Sequence, residues 1–446
     1  MDIVDKRISD MIFVCSEEIV ELTKRKNIDA VVNAADPTLM GSNEPGVDKC
    51  IHDAVNAVSS DGTKFKDLIR RQLDGNEDRN EKVFRCERGK AVVTSGGNFC
   101  RYVIHAVGSI YDRDSKKWLL CSSSRVNILE SCYTEIVNIL KKYPDIKSIV
   151  IPIIGSGNYS FPPELAIRIA IASVGNALVN WKEKDPELFN MASLEEVIFC
   201  IYDTDGKEQY RKSHYAEKIL KKYKPLFDKG KKVVYQYSIT AHLRYMAEIV
   251  RYDSMRGYFA IAWLFRFIMM FVRLLFFPIL VLKDLIGRYD WQRRRTVVEL
   301  FTAMKCVYPV LLLWCSNSIS YTSGQIRLLE FSTAYMMVDT ITYLLLLIIL
   351  ADIQKPSANV IRSMILLFLN YLEVSLDISA IYFLHNYNAL NVSDAVRIGI
   401  LEDTVELKDS WINTALEYTN AGVKFFFMTI AFGYFANHLR QRKFRS

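Results

Sequence analysis

Asn33-Ala34-Ala35-Asp36 closes one apolar run, and Gly46-Val47-Asp48 opens a helical pattern shortly after it. Gly155-Ser156-Gly157-Asn158-Tyr159 closes a second apolar run, KSIVIPII, and leads into ELAIRIAIASVGNAL, whose apolar residues recur at helical spacing. Glycine and other small residues let backbone N–H groups converge on an anion, and a helix N-terminus adds the positive end of its dipole. One such turn is common wherever a strand meets a helix. Two of them facing each other would grip a diphosphate from both sides, with Tyr159 placed to stack on a sugar.

The elements that must carry these loops are legible as alternating short apolar runs and amphipathic stretches. Strands are expected at MIFV, DAVVNAA, KAVVTS, RYVIHAVG, SIVIPII and VIFCIYD, and helices at GVDKCIHDAVNAV, RVNILESCYTEIVNILKKY and PELAIRIAIASVGNAL. Interleaved in this order, they predict an α/β/α layered sandwich, with ligands at the carboxyl ends of its strands. His52 lies on the helix entered by the first loop and His105 inside an apolar strand. Both fit a scaffold role better than a catalytic one, and no Ser/His/Asp or Cys/His arrangement stands out. The nine cysteines are scattered without C-x-x-C pairs, which predicts reduced thiols and no metal site.

Three blocks in order, DAVVNAAD…GVDKCIHDA, CERGKAVVTSGGNFCRYVIHAVG and IPIIGSGNYSFPPELAIRIA, resemble a macro domain over roughly residues 8–215. The resemblance implies a six-stranded mixed sheet between helices and a pocket for ADP-ribose or a derivative. Carried over residue by residue, Glu18 with Ile19 stands where the family reads adenine with an acid, Glu17 being the alternative acid. Asn33 is counted among the ligand-binding residues, Ala35 and Asp36 fall at the distal ribose, and Gly46 and Val47 at the diphosphate. Gly155, Ser156, Gly157, Asn158 and Tyr159 form the second phosphate and ribose loop. Asp48 is the acid that hydrolytic members use; its plainer role is a first-turn carboxylate on the helix dipole. Two departures point to binding without turnover, or to a modified ligand. Asp36 replaces the family's asparagine and cannot donate a hydrogen bond when ionised. The glycine run is replaced by the longer GSNEPG, in which Glu44 adds charge and Pro45 offers no N–H.

The 446 residues divide by composition. Residues 1–215 are the macro-like part, 216–257 a basic helical connector, and 258–446 an all-α membrane bundle. Spans are expected at about 300–319, 328–352, 361–384 and 419–438, each long enough for the hydrocarbon core. Residues 258–282 contain Arg266 and Arg273 and are expected to lie at the interface or to re-enter. That arrangement puts RYDWQRRR and the basic tail on the side of the macro-like part, and the acidic NVSDAVRIGILEDTVELKDS on the other. With no signal peptide at the start, this predicts a multi-pass protein of the cell (inner) membrane with a cytosolic N-terminal part and C-terminus. The +7 net charge is concentrated in the connector and near the spans, where it faces anionic lipid rather than nucleic acid. Asp339, Asn370, Glu373 and Asp377 fall at membrane depth. Either they line a cation pathway in a homo-oligomer, or they pair with Arg266 and Arg273 to fix the bundle.

A macro-like part joined to membrane spans is similar to the effectors of Thoeris-type anti-phage systems. That similarity implies a sensor for an ADP-ribose-derived signal made by a TIR-type partner enzyme, with oligomerisation or pore opening as the response. The alternatives are a membrane-tethered ADP-ribosyl hydrolase using Asp48 and a passive membrane-anchored reader of ADP-ribosylated partners.

Overall fold

The computed structural model describes residues 5–60, 62–75, 82–111, 123–202, 206–243, 246, 249, 260–316, 319–349, 360–401, 410–431 and 433. They fall into two units, residues 1–248 with 287–292, and residues 249–286 with 293–446.

In the first unit the strands are β1 (Ile12–Cys15), β2 (Ala30–Ala35), β3 (Ala91–Gly96), β4 (Cys100–Val107), β5 (Ser148–Pro152) and β6 (Glu196–Cys200). They form one six-stranded sheet in the order β1-β6-β5-β2-β4-β3, parallel except for the β3–β4 pair. The strands are near-continuous apolar runs because both faces are covered. Alternate residues go to opposite cores. Ala30, Val32, Ile104, Ala106, Ile149 and Ile151 pack under one helix layer, while Val31, Val103, Val107, Val150 and Ile198 pack under the other. The first layer holds α1 (Ile8–Met11), α5 (Ser123–Lys142), α6 (Pro163–Lys184), α7 (Pro186–Met191) and α8 (Gly206–Asp228); the second holds α2 (Ile19–Lys26), α3 (Val47–Ala57) and α4 (Phe65–Leu73). This is the mixed-sheet sandwich that the sequence predicts.

The boundary at residue 215 is too early. The stretch KEQYRKSHYAEKILKKYKPLFDKGKK reads as a basic connector because lysines dominate it, but its apolar residues recur on one helical face. Ala216, Ile219, Leu220, Tyr223 and Phe227 are buried in the α/β core, and the lysines occupy the opposite face. A Cβ on Gly175 of α6 would lie 2.0 Å from the Phe227 ring, so α6 and α8 approach as closely as they do only because that residue is glycine. Past α8, Val233 exchanges hydrogen bonds with Asn176 of α6 at 2.7 and 2.9 Å. Val233 also bridges Asp290, whose carboxylate accepts from Lys231 at 2.9 Å.

The second unit is helical: α9 (Ala260–Leu275), α10 (Phe277–Gly287), α11 (Trp291–Cys315), α12 (Ser323–Ile349), α13 (Val360–His385), α14 (Val392–Val396) and α15 (Trp411–Phe425), with π turns at Arg397–Leu401 and Phe426–Ala431. Among the described residues, three helices are long and apolar enough to cross a membrane: Trp291–Cys315, Ser323–Ile349 and, within α13, Met364–His385. At about 1.5 Å per residue each covers the roughly 30 Å of hydrocarbon. α9 and α10 meet at a 59° bend. Pro278 causes it, because its ring clashes with the carbonyl one turn earlier. The stretch expected at the interface is therefore two short helices. The expected span 419–438 is helical over its described part and otherwise lies outside the described residues.

Candidate functional site

Because β2 and β5 are parallel neighbours, the loops that follow them leave the same edge of the sheet side by side. The first runs from Asp36 to Gly46. The Asp36 carboxylate accepts from Thr38 N (2.7 Å), Thr38 Oγ1 (2.6 Å) and Leu39 N (3.1 Å), so one of its oxygens is committed to building the turn. Arg85 fastens the same turn from below. Its guanidinium bonds Thr38 O at 3.0 Å and forms a buried pair with Asp74 at 2.6 Å. The loop ends at Gly46, the N-cap of α3, and Val47 is half-buried on that helix.

The second loop is held by Phe161 N→Gly155 O (2.8 Å) and Ser160 N→Gly157 O (2.8 Å). Gly155 has φ +85°, and a Cβ there would stand 3.0 Å from the Phe161 ring; only glycine makes this turn without strain. Ser156 bonds Ile153 O at 2.8 Å. Gly157 and Asn158 are exposed, and nothing stands within 4 Å of where a Gly157 Cβ would project. The Asn158 Nδ2 comes within 3.9 Å of the Cβ position of Gly46. The two loops thus adjoin at the N-terminal end of α3.

Below them lies a buried polar chain. Asn33 Nδ2 donates to Asp48 Oδ1 at 2.7 Å and sits 3.3 Å from His105 Nδ1, while His105 Nε2 lies 2.9 Å from Thr94 Oγ1. A donor at Asn33 makes His105 Nδ1 the acceptor, so the ring proton is assigned to Nε2, facing Thr94. His52 Nε2 stands 3.6 Å from Asp48 Oδ1, and Phe65 packs against both imidazoles. Burial dominates the electrostatics. It pushes Asp48 up from 3.8 to about 6, against the opposing Asn33 hydrogen bond and with help from the Asp36 charge. It pushes His52 down to about 4, with Lys66 adding to the effect, and His105 down to about 3. Both histidines are neutral at pH 7, which fits the scaffold role. Asp48 alone among these groups titrates near neutrality.

Glu18 caps α2, accepting from Val20 N (2.8 Å) and Glu21 N (2.9 Å) through Oε2. Glu17 is drawn away into a surface pair with Arg25. Ile19 and Ala35 are buried in the core, so of these two only backbone groups can face a ligand. Sequence reasoning passed over Arg88, whose guanidinium sits 5.3 Å from the Tyr159 ring centroid and donates to Gly108 O at 2.8 Å. The CERG stretch carried the signal: a cation two residues after a buried cysteine, on the way into β3.

In the helical unit the expected polar face is present, with one of the expected pairs and one further cation. Arg273 pairs with Asp339. Lys305, unforeseen because it interrupts an otherwise apolar run, reaches Asp339 at 2.7 Å, Glu373 at 3.6 Å and Thr340 Oγ1 at 2.6 Å. Thr340 in turn donates to Glu373 at 2.7 Å. Asn370, Asp377 and Arg266 are buried as well. No group of His, Cys, Asp and Glu among the described residues could hold a metal ion.

Residues 32–170 match the family model for the macro domain. A macro domain-containing protein of Caldanaerobacter subterraneus is 33% identical over 190 residues, covering 42% of this chain and 89% of the relative. One of Listeria monocytogenes is 31% identical over 188 residues, covering 42% and 89%. The mouse ADP-ribose glycohydrolase MACROD1 is 28% identical over 214 residues, covering 47% of this chain and 54% of the relative. With the sheet order, the two adjoining loops and these relatives together, the chain belongs, through its first unit, to the macro domain family.

Proposed function

We propose that the first unit binds ADP-ribose or an ADP-ribose-derived signal, and that its occupancy acts on a membrane through the helical unit. The observation that carries the binding half is the approach of Asn158 to Gly46. Two loops on neighbouring parallel strands meet at a helix N-terminus, where backbone donors and the dipole favour a diphosphate. The mouse relative's name, ADP-ribose glycohydrolase, supports the choice of nucleotide. Three helices of spanning length support the membrane half, and the pairing of such units supports a role as a defence effector answering a TIR-type enzyme. Binding shifts the helical unit only if the ligand prefers its active arrangement. The test is the full chain reconstituted in dye-loaded liposomes. Saturable release on adding ADP-ribose supports the effector, and intact vesicles at saturating ligand refute it in favour of a passive reader.

One observation favours a second reading, hydrolysis. Asp48 is buried at about pKa 6 beside the site, as a general acid or base working near neutrality requires. Release of ADP-ribose from mono-ADP-ribosylated protein, lost in Asp48→Asn, would establish it.

A further inference from the structure

Tyr159 is the aromatic group at the mouth of the two loops, and its neighbours describe what it faces. Its backbone is fixed by Tyr111 N→Tyr159 O at 2.8 Å. Gly108 lies against its ring, 3.6 Å from Cδ2 to the Gly108 Cβ position. An aromatic face at the mouth of the two loops suits a sugar, whose C–H face the ring covers.

Arg88 holds that ring. It sits in a turn pinned to the carboxyl end of β4 by Gly89 N→Val107 O (2.8 Å) and Val107 N→Lys90 O (3.1 Å). From there the guanidinium lies over the ring and donates to Gly108 O. A planar fork that stacks and donates at once is particular to arginine. Side chain and ring are therefore locked together although Arg88 itself is exposed.

We propose that Arg88 is a positioning residue that sets specificity: it fixes Tyr159 against the sugar beyond the diphosphate, so the site prefers a nucleotide carrying that second sugar over one that ends at the phosphates. The inference rests on the ADP-ribose reading and deepens it. The test titrates the full chain in detergent with ADP-ribose and with ADP, which lacks the second sugar. Arg88→Ala is expected to weaken ADP-ribose binding roughly tenfold, the scale of a partly desolvated cation–π and hydrogen-bond pair, and to leave ADP within about twofold. Arg88→Lys keeps the charge without the fork and is expected to recover only part of the loss, which also covers failure of the alanine variant to fold. Equal weakening of both nucleotides, or no weakening of either, overturns the inference. Absence of wild-type binding to both would overturn the ADP-ribose reading itself and this inference with it.

Discussion

Replacing Asp48 by asparagine should make the first unit more stable at pH 7 and remove a defined part of its pH dependence. The Asp48 carboxyl lies well above its ordinary 3.8, at about 6, because it is buried on the first turn of α3. The folded protein therefore holds a proton that the unfolded chain has released between about pH 4 and pH 6. This contribution is full below that window and is lost as pH rises through it. At about 1.4 kcal/mol per unit, the shift corresponds to about 3 kcal/mol of stability forgone at neutral pH. For a unit of this size that is roughly 6–12 °C in Tm. Asparagine keeps an oxygen for the Asn33 Nδ2 bond at 2.7 Å and carries no charge to bury. Scanning calorimetry of the full chain in detergent from pH 4 to pH 7.5 measures it. The difference between variant and wild type should grow across pH 4–6 and then level off. Parallel curves, or a less stable variant at pH 7, would refute the burial of an ionised Asp48. A carboxylate kept at such cost beside the ligand loops is the pattern expected of a functional group rather than a structural one.

Gly175→Ala should cost about 1–3 kcal/mol by overpacking, since the new methyl would meet Phe227; an unshifted calorimetric endotherm for the first unit would return α8 to the role of a free connector. Lys305→Met should destabilise the helical unit by about 3–5 kcal/mol, because Asp339 and Glu373 lose the cation between them. Adding Glu373→Gln, which leaves Asp339 paired with Arg273, should recover much of that in a detergent melt, and a double variant no better than the single one contradicts the pairing.

What could be read beforehand follows from what local pattern encodes. β2, β4 and β5 were legible because strands buried on both faces are written as unbroken apolar runs, and the two loops because glycine and amide residues punctuate them. α8 reads as a helical connector because its lysines mask the i, i+3, i+4 recurrence of Ala216, Ile219, Leu220 and Tyr223, whose burial depends on α6 presenting Gly175. The bend at Pro278 is hard to read because apolar residues continue on both sides of the proline. Long-range pairs were the hardest. Nothing near Arg88 names Tyr159, and nothing near Lys305 names Asp339 or Glu373, since each pair is made by the fold. Asp36 shows the reverse case: its type suggested a ligand contact, while the structure spends one oxygen on the turn beside it.

The most direct measurement is isothermal titration calorimetry of the full chain in detergent with ADP-ribose, wild type against Gly157→Val. The open space at Gly157 lets the valine fold without a clash while adding bulk to the second of the two loops. Saturable one-to-one binding by the wild type, absent in a valine variant with an unchanged melting temperature, is the predicted result. A wild type that produces no saturable heat, or a valine variant that binds equally well, would contradict a diphosphate seated between these loops.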